Sequence, residues 1–125
     1  MSSERRSRIL IVDDNDDMGE ALLVWLGDLG HEVTLAKSAQ AALASARDAR
    51  PDTMVCDIGL PDMTGYELAR AIRADAALAD VRLIALTGFK SPHASEQAGE
   101  AGFDAYLSKP VDPDVLERMI ASSAR

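Results

Sequence analysis

ILIVDDNDD, residues 9–17, sets four apolar side chains directly before Asp13, Asp14, Asn15, Asp16 and Asp17. A short apolar run of this kind fits a strand of a parallel sheet, covered by helices on both faces. The carboxylates at its end repel one another, so their placement needs a reason. Either one residue caps a helix while the others are solvated, or they share a cation. What else gathers at the same edge decides between the two.

Working outward, short apolar runs alternate with longer stretches of helical period, the pattern of a βα repeat around a parallel sheet. Strands are expected at 8–12, 32–36, 53–56, 82–86 and 105–107. In the second, Val33 and Leu35 alternate with Glu32 and Thr34, which leaves one face wet and places that strand at a sheet edge. Met18, Ala21, Leu22, Trp25, Leu26 and Leu29 form one helical stripe closed by Gly30, so Trp25 reads as core rather than as a ligand platform. Ala39, Ala42, Leu43 and Ala46 give a second helix, with Ser38 as its N-cap and Pro51 beyond its end. Leu68, Ala69 and Ile72 mark a third, after the turn LPDMTG, and Val115, Leu116, Met119 and Ile120 mark a fifth, behind Asp112 as cap. The fourth helix, at about 91–101, starts at Ser91 and Pro92, but its apolar positions are mostly alanine and it contains Gly99. A glycine inside a helix costs about 1 kcal/mol relative to alanine, so this helix is expected to be the least stable.

A chain of 125 residues has the size of one domain. The expected layout is a flexible tail over 1–7, holding Arg5 and Arg6, and a single domain over 8–125. The net charge of -8 opposes phosphate backbones and anionic membranes, so neither nucleic acid nor a membrane is an expected partner. No apolar run approaches the roughly 20 residues of a membrane helix, and a cytoplasmic location is expected. The lone Cys56 reads as a small buried hydrophobe, and His31 and His93 as surface residues without ligand or triad spacing.

In an open parallel sheet the residues just past the strands share one edge, and ligands bind in the crevice there. Those residues are Asp13 and Asp14 after the first strand, Asp57 after the third, Thr87 after the fourth, and Ser108 and Lys109 after the fifth. If the first and third strands are neighbours, about 4.8 Å apart, three carboxylates converge, and a bound cation relieves their repulsion. Oxygen ligands with open positions favour Mg²⁺ over Ca²⁺ or Zn²⁺. Carboxylate, Mg²⁺, hydroxyl and ammonium together are the equipment of phosphoryl transfer to an aspartate, although this chemistry alone does not choose between Asp57 and Asp14 as nucleophile.

The ordered set ILIVDDN, VCDIGLPDMTGYEL, LIALTG and AGFDAYLSKP resembles the receiver domain of two-component response regulators, chemotaxis-regulator-like, over essentially the whole chain. The resemblance implies an α/β, flavodoxin-like, doubly wound (βα)5 fold whose five-stranded parallel sheet has the order 2-1-3-4-5. It implies phosphorylation of Asp57 by a sensor histidine kinase or a histidine phosphotransfer protein. Mg²⁺ would be held by Asp14, Asp57 and the carbonyl of Gly59, with Asp13 assisting through water. Thr87 and Lys109 would contact the phosphoryl group, Tyr106 would act as a switch by turning inward, and the Lys109–Pro110 bond would be cis.

The implied output is binding of a downstream protein through the fourth helix, last strand and fifth helix, as a monomer or a phosphorylation-dependent dimer. No enzymatic activity is implied beyond self-phosphorylation and self-dephosphorylation. Nothing follows the fifth helix, so no DNA-binding or enzymatic output is expected; Met1 favours a stand-alone regulator, whereas ALTGF and LPDMTGYEL look somewhat more like the receiver module of a hybrid sensor histidine kinase. Two further readings are a Mg²⁺-dependent phosphohydrolase of the haloacid-dehalogenase type, for which the chain lacks the usual length, and a degenerate receiver, against which Asp57, Thr87 and Lys109 argue. Gly59 and Phe89 would flank the phosphoryl group and the path of attacking water, and are expected to set its lifetime.

Overall fold

The five apolar runs are strands: β1 (Arg8–Val12), β2 (Glu32–Ala36), β3 (Thr53–Asp57), β4 (Arg82–Thr87) and β5 (Ala105–Ser108). Between and after them lie α1 (Asp16–Asp28), α2 (Ala39–Asp48), α3 (Gly65–Ala74), α4 (Ala94–Ala101) and α5 (Pro113–Ser122). The computed structural model describes residues 8–87, 94–108 and 111–122. All strand pairs are parallel and the order is β2-β1-β3-β4-β5, the flavodoxin-like arrangement, with β2 at an edge as its alternation implies.

Strand alternation sends successive side chains to opposite faces, so the sheet feeds two cores. Leu10, Val12, Met54, Cys56, Leu83 and Ala85 pack on one side with residues of α2, α3 and α4. Ile9, Ile11, Val55, Ile84 and Leu86 pack on the other with Leu22 and Leu26 of α1 and Leu116 and Ile120 of α5. Each fully buried large aliphatic side chain contributes about 1.5–3 kcal/mol, which is what commits the central strands to this register. Trp25 lies half-buried against the α1 and α5 side.

The helix ends follow the local chemistry. Ser38 caps α2 by accepting from the Ala41 amide at 3.1 Å, and Asp112 accepts from the Asp114 amide at 2.9 Å in the first turn of α5. Gly30, at φ +97°, closes α1, where the His31 amide reaches back to the Leu26 carbonyl at 3.3 Å. Gly102, at φ +114°, closes α4 in the same way, with the Phe103 amide 2.9 Å from the Ala98 carbonyl. Among the described residues of α4, the buried core side chains are small, Ala98 and Ala101. Residues 91–93, expected to start this helix, lie outside the described residues, as do Arg5, Arg6, Phe89, His93, Lys109 and Pro110.

Three strands run one residue beyond the expected ends. Asp57 pairs in register with Leu86, Thr87 with Ser108, and the Ile58 amide donates to the Leu86 carbonyl at 3.1 Å. These residues are therefore held by the sheet ladder itself rather than by the loops that follow.

Candidate functional site

The acidic run after β1 separates into distinct jobs. The Asp13 amide donates to the Ala36 carbonyl at 3.0 Å, carrying the pairing with β2 one step past the strand. Asp13 Oδ1 accepts from the Asn15 amide at 2.9 Å, which turns the chain toward α1, and the side chain is buried. Asn15 then caps α1 by accepting from the Met18 amide at 3.1 Å. Asp16 pairs with Lys37 at 2.6 Å, and Asp16 and Asp17 sit in the first turn of α1, where the helix dipole favours negative charge. Asp14 remains exposed at the sheet edge. The cap reading and the shared-ligand reading thus apply to different residues of one stretch.

β1 and β3 are neighbours, and their ends bring Asp13, Asp14 and Asp57 together, with one carboxylate oxygen from each within 4.8 Å of the others. Asp13 is buried, Asp57 half-buried and Asp14 exposed, so the cluster opens to solvent on one side. Three carboxylates at this spacing favour a counter-charge, and an all-oxygen donor set suits a hard divalent cation. Asp57 Oδ1 faces the Gly59 amide at 3.4 Å. Cys56, just before it, is buried in the sheet with its thiol donating to the Asp57 carbonyl at 3.2 Å. Burial, and then the negative charges of Asp57 and Asp13, push that thiol well above its ordinary pKa, so it stays protonated.

Thr87 is buried at the end of β4, next to β3. Tyr106 is half-buried in β5, in register with Ala85, and packs against the α3 and α4 side of the sheet. By strand alternation Thr87 lies two residues along from Ala85 on that same side. Asp13, Asp14, Asp57 and Thr87 therefore occupy one sheet edge, Gly59 lies exposed just past it, and Tyr106 stands one pleat behind Thr87. Lys109 falls outside the described residues.

The loop over 58–64 is built by close approach. The Gly65 amide donates to the Ile58 carbonyl at 2.8 Å, and a Cβ on Gly65 would stand 2.8 Å from the Asp57 carbonyl oxygen and from Ile58 Cα. Thr64 and Glu67 form a reciprocal capping box at the start of α3. Asp62 crosses to α2, its two carboxylate oxygens accepting from the Ala39 and Gln40 amides, each at 2.9 Å. These bonds hold the Asp62 carboxyl below the usual carboxylate range.

Sequence reasoning did not single out Asp62, Lys37 or Thr64. The Thr64-x-x-Glu67 spacing is a readable capping signal. The reach of Asp62 to α2 offers no local signal, since its partners there lie 22 and 23 positions away. No helix among the described residues is long and apolar enough to cross a membrane.

Comparison with known proteins agrees with this geometry. The sequence matches the family model of the response regulator receiver domain over residues 9–121. It is 37% identical over 112 residues to an uncharacterized 14.6 kDa protein of Leptolyngbya boryana, covering 90% of this chain and 86% of that one. It is 33% identical over 121 residues to the DNA-binding response regulator MtrA of Mycolicibacterium smegmatis, covering 96% of this chain and 51% of MtrA, so the chain spans about half of that longer relative. The chemotaxis response regulator CheY4 of Vibrio cholerae superposes with a TM-score of 0.87 at 30% identity, covering 94% of this chain and 98% of CheY4. The signal receiver domain of a histidine kinase from Syntrophus aciditrophicus superposes with a TM-score of 0.86 at 27% identity, covering 94% and 89%.

Proposed function

The chain belongs to the response regulator receiver family, and from that premise we propose that it is a phosphoryl-accepting switch with Asp57 as the acceptor. The observation that carries this reading is the meeting of Asp13, Asp14 and Asp57 at the ends of two neighbouring strands. Among the three, Asp57 has the support an acceptor needs. Its backbone is fixed in the ladder with β4, its side chain is half-buried yet reachable, and Thr87 ends the adjacent strand. Asp13 is buried and already turns the chain into α1.

The phosphoryl group would pass from a phosphohistidine nitrogen of a sensor histidine kinase or phosphotransfer protein to a carboxylate oxygen of Asp57. The N–P bond breaks, an O–P bond forms, and the imidazole keeps the nitrogen electron pair. The oxygen donors present fit Mg²⁺, held by Asp14, Asp57 and the Gly59 carbonyl with Asp13 bracing through water; bound there, it would neutralise charge on phosphoryl oxygens. The Thr87 hydroxyl would donate to one phosphoryl oxygen and the Lys109 ammonium would pair with another. Tyr106, one pleat behind Thr87, would turn inward as Thr87 is drawn to the phosphoryl group, and so change the α4, β5 and α5 face offered to a downstream protein. That output would be carried by a monomer or a phosphorylation-dependent dimer. The reaction is stoichiometric self-modification and self-hydrolysis, not turnover of an external substrate.

The likeness to a histidine kinase receiver domain favours a second setting for the same site, as the receiver module of a hybrid sensor kinase. The acceptor chemistry is identical in both.

Incubation with Mg²⁺ and acetyl phosphate, followed by peptide mass spectrometry, tests the reading. One phosphoryl group on Asp57, absent in Asp57→Asn, is the expected result. Modification at Asp14 instead, or sustained release of product from an aryl phosphate, would overturn it.

A further inference from the structure

Asp62 links two of the loops that build the site. The loop after β3 is closed at its base, where the Gly65 amide meets the Ile58 carbonyl at 2.8 Å and the Leu60 amide meets the same carbonyl at 3.1 Å. Its outer part is tied to α2 through Asp62, whose two oxygens take the Ala39 and Gln40 amides, the first two of that helix. The third amide of α2, from Ala41, goes to Ser38 Oγ. The helix thus has its own local cap and also receives a charged acceptor from a distant loop. A carboxylate on helix-terminal amides is a charge-assisted bond, favoured further by the helix dipole.

The corner that Asp62 grips is fastened on its other side to the acidic run. The Ala36 carbonyl holds the Asp13 amide at 3.0 Å, and Lys37 pairs with Asp16 at 2.6 Å. Residues 36–40 therefore form a bridge with Asp13 and Asp16 at one end and the loop carrying Gly59 at the other. Ligand atoms on two loops keep their mutual distance only if the loops keep theirs, and groups that orient ligands from outside the ligand set tune metal affinity.

We infer that Asp62 is a positioning residue of the phosphoryl-accepting site: by clamping the β3–α3 loop to the first amides of α2, it fixes the Gly59 backbone relative to Asp13 and Asp14. The inference rests on the function proposed above and adds a residue to it. It also separates Asp62 from Ser38, whose hydroxyl caps the same helix locally through the Ala41 amide.

The test compares wild type, Asp62→Ala, Asp62→Asn and Ser38→Ala by calorimetric titration with Mg²⁺ alone, with the Gly59 amide followed by NMR. Asp62→Ala is expected to weaken Mg²⁺ binding about tenfold and to shift the Gly59 resonance before any ion is added. Asp62→Asn, which keeps one oxygen acceptor, is expected to recover part of both. Ser38→Ala is expected to lower stability while leaving Mg²⁺ affinity and the Gly59 resonance as in wild type. Equal affinity in wild type and Asp62→Ala, or equal losses in Asp62→Ala and Ser38→Ala, would reduce Asp62 to a helix cap. Failure of the wild-type protein to bind Mg²⁺ would instead remove the functional reading itself.

Discussion

Gly59, in the loop after β3, and Gly65, the first residue of α3, face opposite surroundings. A Cβ at Gly65 would meet backbone atoms of Asp57 and Ile58 at 2.8 Å, whereas one at Gly59 would meet nothing within 4 Å. Gly65→Ala must therefore push the start of α3 away from β3, and is expected to lose about 1–3 kcal/mol in urea unfolding. Gly59→Asn is expected to stay within about 0.5 kcal/mol of wild type while altering the decay rate of the phosphoryl group proposed for Asp57. An unaltered decay would end the idea that side-chain bulk at this position governs water access. Asp62 carries a consequence for acid stability. Its carboxyl titrates lower folded than unfolded, so its contribution is present above the ordinary value of 3.8 and is lost as the pH falls through the lower folded value. Asp75 is held down in the same direction by the Ala77 amide and then by Arg47. Between pH 5 and pH 3 the urea midpoint of wild type should therefore fall, and that of Asp62→Asn should fall less, since one of the two titrations is gone.

Elements differ in how they are fastened. Arg73, near the end of α3, donates to the carbonyls of Gly102, Ala79 and Val81 at 2.9, 2.8 and 2.6 Å and pairs with Asp104 at 2.8 Å. Asp104 also accepts from the Leu83 amide at 2.9 Å. The far end of α4 is thus pinned to α3 and β4, although the helix itself buries small side chains such as Ala98 and Ala101. In hydrogen exchange, α4 is expected to open at lower free energy than α1, which buries Leu22 and Leu26. Arg73→Ala should lower protection at Gly102 and Phe103 more than in α1. Protection in α4 equal to that in α1 would contradict this ordering. The strands, the α2 cap and the Gly30 stop were legible because period and capping are local signals. Arg73 was not, because its partners lie 6, 8, 29 and 31 positions away and only the fold brings them together.

At the scale of the molecule, the strand order was readable from the family resemblance, and the meeting of positions 13, 14 and 57 followed from placing β1 beside β3. What the pattern of residues missed was the division of labour within DDNDD. Burial of Asp13, the Asn15 cap and the Asp16 pairing with Lys37 depend on neighbours contributed by β2, by the residue just after it and by the start of α1. The ends of β3, β4 and β5 were underestimated by one residue because the ladder to the next strand continues past the last apolar side chain.

Cys56 sits in the central strand between Val12 and Ala85, 1% exposed and disfavoured as a thiolate. An alkylating reagent needs both contact and a deprotonated sulfur, and the native sheet denies it each. Iodoacetamide should therefore label this chain only during excursions that separate β3 from its neighbours. The labelling rate becomes a stopwatch for rupture of the molecule's middle, one that the sequence carries without any engineered probe.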